Sequence, residues 1–294
     1  YFFILYTMLD TSLPSKIKSF LDLIRFNRPT GFTLLMWPCW FGLASLSINQ
    51  LTLLKWYILF LFGSFLMRSA GCIINDIIDI NLDKDIERTS QRPLVTKKIS
   101  IIEAIILLIV LLLFSLSILL QFNTKTIILA LLSVPLIIIY PIMKRITYWP
   151  QLALGIIFNW GVLIVSMQFN NYLSISFIIL YIGCIFWTLA YDTIYAYQDR
   201  EDDIKSNIKS TAVLFNRYGK SFILGFYTIF LMILGWIGFQ NSDSITSIFI
   251  IIIFLFAMIY FFNKWDIEST KSSNYFFRIN NFFGLLCFIY LFIF

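Results

Sequence analysis

The sequence predicts an all-α integral membrane protein with about nine transmembrane helices, and three observations support this. Of the 294 residues, 60% are hydrophobic and only 13% are charged, whereas a soluble domain is nearer half apolar and about a quarter charged. The apolar residues form runs that approach the roughly 20 residues needed to cross the hydrocarbon core as a helix. Lys and Arg collect in alternate connections between these runs, as the positive-inside rule expects.

Nine apolar segments are predicted as transmembrane helices because backbone polar groups in lipid must be satisfied within the segment itself. The segments are too long and too continuously apolar for the alternating strands of a membrane barrel. They are 30–48, 54–75, 101–120, 126–142, 152–168, 173–196, 221–239, 245–262 and 276–294.

We expect residues 1–294 to form a single transmembrane domain, with residues 1–20 outside the membrane. Met8 is a candidate translation start. The opening YFFILYT has no basic flank and is not expected to be a signal peptide.

Basic residues set the expected orientation. Of the 22 Lys and Arg, all but Lys55, Arg68 and Lys125 lie on the side that carries the N-terminus. That side is predicted to be cytoplasmic, which leaves the C-terminus outside. Nearly all acidic residues share it, and Asp243 is the one in an outer loop. The net charge of +6 follows from this bias, so no nucleic-acid partner is predicted, and no obligate protein partner either.

The chain offers few soft metal ligands. It has no histidine, and its four cysteines lie apart inside apolar runs, at Cys39, Cys72, Cys184 and Cys287. We expect these cysteines to be small buried side chains. A zinc or haem site built from imidazole or thiolate is therefore excluded.

Two acidic clusters follow predicted spans on the expected cytoplasmic side. In the first, NDIIDINLDKDIERTSQRPL, Asn75, Asp79 and Asp83 are four residues apart, and Asp76 is seven before Asp83. At about 100° per residue these side chains share one face of a helix.

In the second cluster, YDTIYAYQDREDDIKSNIKST, Asp192, Asp199 and Asp203 are seven and four apart, and a continuous helix is expected to align them too. Like charges on one face are unfavourable unless a cation neutralises them. Oxygen-only ligands suit Mg²⁺, which commonly bridges carboxylates to substrate phosphates. The alternative is that both clusters are only polar helix ends at the membrane interface.

Basic residues complete the candidate site. Arg68 lies within the second predicted span, where an ionisable side chain is a functional candidate by default. Arg28 begins the first span, Lys144 and Arg145 follow the fourth, and Lys209 follows the second cluster. Lys144 and Arg145 are equally consistent with ordinary positive-inside anchors.

These strings together resemble the UbiA superfamily of membrane prenyltransferases, and within it the 4-hydroxybenzoate polyprenyltransferase branch of ubiquinone synthesis. LIRFNRPTGFTLLMWPCW resembles the family's opening, and MRSAGCIINDIIDINLDKDIERTSQRPL its first aspartate motif. YPIMKRITYWPQLALG and the YDTIYA–QD–DD–KST string are more specific to the branch. Asp266 and NNFFG at 280–284 are similar to the closing pattern. Asn27 departs from it, since an acidic residue is frequent there.

The resemblance implies nine helices around a central cavity open to the cytoplasm and, laterally, to lipid. It implies Mg²⁺ held at Asn75, Asp79, Asp199 and Asp203, with Asp76 and Asp83 nearby. The substrates would be a polyprenyl diphosphate and 4-hydroxybenzoate, in a protein of the bacterial inner membrane.

We assign Asp192, Arg68 and Lys144 to catalysis, with Asp192 as the candidate base. Five further residues are assigned to diphosphate or carboxylate binding: Arg28, Arg145, Lys209, Tyr140 and Tyr195. Two alternatives stay open. One is a sister prenyltransferase with another acceptor, such as haem, a naphthoate, homogentisate or a glycerol phosphate. The other is a transporter whose charges mark an ion path.

Overall fold

The computed structural model describes residues 14–81, 83–84, 89–242 and 244–294, and within these ranges it is helical with no β-strand. Met8, residues 1–13 of the expected extramembrane segment and Asp243 lie outside the described residues. The all-α prediction is confirmed. Short 3₁₀ helices occupy Gln50–Leu53 and Asn216–Tyr218. The α-helices are α1 Ser15–Leu23, α2 Thr30–Ala44, α3 Leu54–Ile78, α4 Ile101–Leu119, α5 Thr124–Leu131, α6 Val134–Ile146, α7 Pro150–Phe158, α8 Trp160–Asn170, α9 Ile175–Ala196, α10 Arg200–Lys205, α11 Thr211–Phe215, α12 Gly219–Ser242, α13 Ile245–Phe262 and α14 Thr270–Ile293.

Eight helical stretches in the described part of the chain are long and apolar enough to cross a membrane. They are Gln50–Ile78, Ile101–Leu119, Thr124–Ile146, Pro150–Asn170, Ile175–Ala196, Thr211–Ser242, Ile245–Phe262 and Thr270–Ile293. They correspond to eight of the nine predicted segments. The protein is therefore a multi-pass membrane protein.

The remaining segment, predicted at 30–48, forms the shorter helix α2. This helix has 15 residues and ends at Ala44, below the roughly 20 residues of a full span. Polar side chains at the end of α2 and after it form hydrogen bonds with nearby backbone groups, which competes with continuation of the helix. The Ser45 hydroxyl donates to the Phe41 carbonyl, and the Asn49 side chain accepts from the Leu51 amide to begin the 3₁₀ turn.

Two predicted spans are each built from two helices. Thr124–Ile146 is interrupted between α5 and α6, where Pro135 lies in the first turn of α6 and has no N–H for the preceding turn. Pro150–Asn170 is interrupted at the fully buried Asn159. The Asn159 amide donates to the Gly155 carbonyl at 2.6 Å and to the Thr188 hydroxyl at 2.8 Å.

The chain divides into two compact units. The first contains the described residues of Tyr1–Thr33 together with Leu61–Gln121. Burial of apolar surface from α1, α3, the connection after α3 and α4 builds its core. The buried core residues are Leu23, Ala70, Ile73, Leu94, Ile99, Ala104 and Leu111.

The second unit contains Leu34–Phe60 and Phe122–Phe294, and α9 is its central helix. At 61% buried, α9 is the most buried of the eight described spans, and it packs against α7, α8, α12 and α14. Trp187 of α9 is fully buried and stacks on Phe230 of α12, with ring centroids 5.4 Å apart. A Cβ at Gly183 would lie 2.9 Å from Ile233, so glycine allows α9 and α12 to approach closely.

Candidate active site

The first aspartate motif lies at the cytoplasm-predicted end of α3, within the first unit. The helix ends at Ile78, but the Asp79 amide bonds to the Asn75 carbonyl and the Asp83 amide to the Asp79 carbonyl, both at 2.9 Å. Asn75, Asp79 and Asp83 therefore stack one turn apart, as predicted. Counted over the whole residue, Asp76, Asp79 and Asp83 are each at most 4% exposed, which is unusual for acidic residues.

Two arginines that were not among the predicted site residues compensate part of this negative charge. Arg25 Nη2 lies 2.8 Å from both carboxylate oxygens of Asp76. Arg92 Nη1 lies 3.0 Å from Asp76 Oδ1 and 2.5 Å from Asp83 Oδ2. Burial raises the pKa of Asp83, and the neighbouring Arg92 opposes this rise. Arg92 belongs to the RT–RPL string of the first motif, so the signal was present but had no assigned role.

Arg68 and Arg28 also belong to the first unit. The Arg68 side chain lies along the first turn of α2, where a Cβ on Gly31 would be 2.8 Å from its Nε. Glycine at this position therefore makes room for Arg68. Arg28 is exposed in the turn before α2. Asn27, the departure from the family pattern, donates to Asp22 Oδ1 at 2.9 Å.

The second aspartate motif lies at the end of α9, within the second unit, and here the helix prediction is wrong in part. Asp192 and Tyr195 are on α9, but α9 ends at Ala196 and α10 begins at Arg200. A turn thus separates Asp192 from Asp199, so the expected continuous face is broken. Asp199 and Asp203 do keep one-turn spacing, since the Asp203 amide bonds to the Asp199 carbonyl at 2.8 Å.

The turn after α9 is held in place by tertiary contacts of Tyr197. Its hydroxyl donates to the Asn216 carbonyl at 2.5 Å, and its ring packs edge-on against Trp265. Arg200 bonds to the Asn216 side chain and lies 3.6 Å from Glu268. Burial raises the pKa of Tyr197 to about 12, although Arg200 opposes this. The turn that carries Asp199 is therefore tied down on both sides.

Lys209, at the end of the second motif, lies against the last turn of α6, which carries Lys144. The Lys209 amide donates to the Lys144 carbonyl at 2.9 Å, and Lys209 Nζ donates to the Ile146 carbonyl at 3.0 Å. These contacts join the KST string of the second motif to the last turn of α6. This last turn, residues 144–146, belongs to the YPIMKRITYWPQ string. Tyr140 and Arg145 of the same string also lie on α6.

A second link joins the same two strings through buried side chains. The Thr211 amide donates to Gln151 Oε1 at 3.1 Å, and the Thr211 and Thr193 hydroxyls are 2.7 Å apart. Gln151 is another residue to which the sequence reasoning gave no role. Its place in the branch-specific PQ string was the available signal.

The closing NNFFG pattern supports the core of the second unit. Asn280 Oδ1 accepts hydrogen bonds from the Trp187 indole at 3.0 Å and from the Tyr227 hydroxyl at 2.7 Å. A Cβ on Gly284 would lie 2.6 Å from Trp37 Cδ1. This pattern therefore holds Trp37 and Trp187 in place. The four cysteines are buried, as predicted, and none of them forms a disulfide.

Each unit thus carries one aspartate motif with its own basic residues. In the described part of the chain, no three Asp, Glu, Cys or His side chains are grouped closely enough to enclose a metal ion. In the first unit, Arg25 pairs with Asp76 and Arg92 pairs with Asp83.

Comparison with known proteins identifies the family. Residues 35–286 match the UbiA prenyltransferase family. The chain belongs to this family. The predicted resemblance and the prenyltransferase activity that it implies are therefore confirmed.

Curated members of the UbiA family are similar over most of the chain. A 4-hydroxybenzoate octaprenyltransferase of Serratia proteamaculans is 38% identical over 281 residues, which cover 94% of each chain. A mitochondrial 4-hydroxybenzoate polyprenyltransferase of Drosophila melanogaster is also 38% identical, over 94% of this chain and 71% of that protein.

Solved structures of UbiA homologues share the fold. The homologue from Archaeoglobus fulgidus, bound to DMAPP and Mg²⁺, has a TM-score of 0.67 at 19% identity and covers 94% of this chain and 98% of its own. The apo homologue from Aeropyrum pernix K1 has a TM-score of 0.64 at 22% identity, covering 87% and 96%.

Proposed function

We propose that this UbiA family member transfers a polyprenyl group from a polyprenyl diphosphate to the ring carbon ortho to the hydroxyl of 4-hydroxybenzoate, an early step of ubiquinone biosynthesis. The observation that carries the proposal is that the two branch-specific strings are hydrogen-bonded to each other. Lys209 bonds to Lys144, and Thr211 bonds to Gln151. The names of the Serratia and Drosophila relatives support the same acceptor.

The donor set fits Mg²⁺. Asn75 with Asp79, and Asp199 with Asp203, would each offer oxygen ligands one helical turn apart. Mg²⁺ commonly takes one or two carboxylates and completes its shell with water and substrate phosphate, so neither motif needs three protein ligands. The bound ion would supply stabilisation of the negative charge on the departing diphosphate. The Archaeoglobus homologue, whose structure is bound to DMAPP and Mg²⁺, supports this choice of metal.

The chain's own residues would carry the rest of the reaction. The bond between the allylic carbon and the diphosphate oxygen breaks with its electron pair going to the oxygen. Arg28, Arg68 and Lys209 would stabilise that charge. Lys144 and Arg145 are the candidate partners of the acceptor carboxylate, which needs a cation once it leaves water.

Ring attack then forms the new carbon–carbon bond, and the ring proton leaves to restore aromaticity. With no histidine in the chain, Asp192 is our candidate to accept a proton, and the released diphosphate is the alternative. Tyr140 and Tyr195 would line the acceptor side, and Tyr195 packs on Phe277 with ring centroids 4.6 Å apart. We further propose that both motifs face the cytoplasm, from a bacterial inner membrane, on the charge asymmetry of the loops.

Acceptor choice tests the proposal. Purified protein supplied with a polyprenyl diphosphate and Mg²⁺ should prenylate 4-hydroxybenzoate and strongly disfavour its methyl ester, because the ester lacks the charge that Lys144 and Arg145 would bind. A naphthoate and homogentisate serve as competing acceptors. Equal rates with the acid and the ester would show that no carboxylate pocket exists. Preference for another acceptor would assign the protein to a sister branch of the family.

A further inference from the structure

We propose that Arg92 is a positioning residue that fastens the segment after α3 to the first aspartate motif. By pairing with Asp76 and Asp83, it assigns those two acids to holding the segment after α3 rather than to binding the metal ion. The second statement rests on the proposed function, whereas the first concerns the metal-free protein.

The guanidinium geometry carries the inference. Both oxygens of Asp76 accept from Arg25 at 2.8 Å, and Oδ1 also accepts from Arg92 at 3.0 Å. Asp83 accepts from the same Arg92 nitrogen at 2.5 Å. One guanidinium group therefore bridges two carboxylates that are seven residues apart. The two N–H groups of this nitrogen supply one donor to each carboxylate. A lysine would keep the charge, but its ammonium is more strongly hydrated than a guanidinium group.

Because the two carboxylates are buried, loss of their pairing with Arg92 is expected to be costly. The side chains of Asp76 and Asp83 are 2% and 6% exposed, while Arg92 is 20% exposed. A buried carboxylate that loses its cation leaves an uncompensated charge in a poorly solvated place. Asp76 and Asp83 thus depend on Arg92 in a way that exposed ion pairs do not.

The backbone around Arg92 is tied to the same point. The Thr89 hydroxyl donates to the Asp83 carbonyl at 3.0 Å, and the Arg92 amide donates to the Thr89 carbonyl at 2.9 Å. The Arg92 carbonyl in turn accepts from the Thr96 amide at 3.0 Å. The segment 89–96 is therefore folded back onto the end of α3 as a clamp, which the Arg92 side chain closes.

Arg25 braces the motif from the other side. Its backbone has φ of 58°, a left-handed conformation that is uncommon for a non-glycine residue. Its Nη1 donates to the Asp22 carbonyl at 2.8 Å while Nη2 holds Asp76. Such strain persists where surrounding contacts over-determine it. Two separate segments thus converge on Asp76.

Hydrogen–deuterium exchange of the metal-free protein in lipid nanodiscs tests the clamp. In Arg92→Gln, the Arg92 and Thr96 amides should exchange at least about tenfold faster than in the wild type. Arg92→Lys should recover only part of the protection. Lys98→Gln, which removes one exposed charge from the same segment, is the matched control and should exchange like the wild type. Unchanged protection in Arg92→Gln would overturn the clamp.

A double mutant separates the ion pair from general destabilisation. If Arg92 acts through Asp83, Arg92→Gln combined with Asp83→Asn should exchange no faster than Arg92→Gln alone, because the uncompensated charge is gone. Additive increases would mean that the two residues act independently and would overturn the pairing.

Mn²⁺ binding, followed by electron paramagnetic resonance without substrate, tests the division between the acids. Asp79→Asn should weaken Mn²⁺ binding at least about tenfold more than Asp83→Asn does, because only Asp79 would donate an oxygen directly to the ion. Equal weakening would make Asp83 a ligand and overturn the division. If neither variant weakens Mn²⁺ binding, the proposed metal site itself is contradicted. The hydrogen-exchange result would still test the clamp independently.

Discussion

The backbone amide of Thr211 donates a 3.1 Å hydrogen bond to the side-chain oxygen of Gln151, and both residues are buried. Thr211 is the first residue of α11, where helix amides have no partner within the helix. Gln151 supplies that partner from α7, 60 residues away in sequence. This contact fixes the end of the second aspartate motif against the central string.

Replacement of Gln151 should therefore disturb both stability and activity. Gln151→Met keeps the volume but leaves the Thr211 amide unsatisfied, at a cost of about 1–3 kcal/mol. We expect a lower melting temperature and a lower kcat/KM for the aromatic acceptor. The matched control is Gln168→Met, since Gln168 Oε1 likewise accepts a backbone amide, from Asn123 at 2.9 Å. The control should lose stability but keep its kcat/KM; equal losses of kcat/KM would argue against a positioning role for Gln151.

Glycine substitutions test the packing of the second unit. Gly284→Ala would place a Cβ 2.6 Å from the Trp37 ring, and overpacking of this kind costs about 1–3 kcal/mol. Gly225→Ala is the control, because nothing lies within 4 Å of its Cβ position, and alanine is the better helix former. Thermal unfolding in detergent should show Gly284→Ala melting below the wild type and Gly225→Ala at or above it. Identical melting temperatures would count against the Trp37 packing.

Cysteine labelling tests the orientation. The native cysteines are buried, so the background should be low. Cysteine at Gln91 or Asn207 should react with an impermeant thiol reagent only from the cytoplasmic side, and cysteine at Asn170 or Asn241 only from outside. If both pairs react from one side, the proposed arrangement of spans is wrong.

The 15-residue helix α2 needs its own pair of positions. Ile17 precedes it and Asn49 follows it. If α2 crosses the membrane, cysteines at Ile17 and Asn49 should label from opposite sides, with Ile17 on the side of Gln91. Labelling of both from one side would reduce the count to the eight spans that are long enough on their own.

Much of the fold followed from local patterns. Apolar runs predicted the spans because a membrane helix satisfies its own backbone, and four-residue spacing predicted the stacking of Asn75, Asp79 and Asp83. The break after Ala196 was not predictable this way, because the turn there is held by a hydrogen bond from Tyr197 to Asn216, 19 residues distant. The interruption at Asn159 likewise depends on Thr188, 29 residues distant.

The same limit applied to the candidate site. Residue types alone indicated oxygen ligands for a hard cation, and they grouped Asp76 and Asp83 with the others. The pairing of Asp76 and Asp83 with arginines depends on Arg25, 51 residues before Asp76, and on Arg92, which folds back onto both acids. Long-range ion pairs of this kind leave no periodic signal in a single sequence.

A magnesium titration separates the roles of two aspartates in the second motif. Asp199→Asn should raise the Mg²⁺ concentration needed for half-maximal rate, and excess Mg²⁺ should partly restore activity. Asp192→Asn should lower the maximal rate, by about 10²–10⁴-fold if it is the general base, with little change in the Mg²⁺ midpoint. An equal midpoint shift in both variants would place Asp192 in the metal site and leave the diphosphate as the base.

Product formation from 4-hydroxybenzoate and a polyprenyl diphosphate tests the central claim most directly, measured in purified wild type, Asp79→Ala and Asp199→Ala with and without a chelator. The wild type should form the ortho-prenylated acid, lose activity with the chelator and regain it with Mg²⁺. Each variant should fall by at least about two orders of magnitude in rate, or roughly 3 kcal/mol of transition-state stabilisation. Near-normal turnover in either variant, or product formation that ignores the chelator, would contradict a metal-assisted prenyl transfer at the two aspartate motifs.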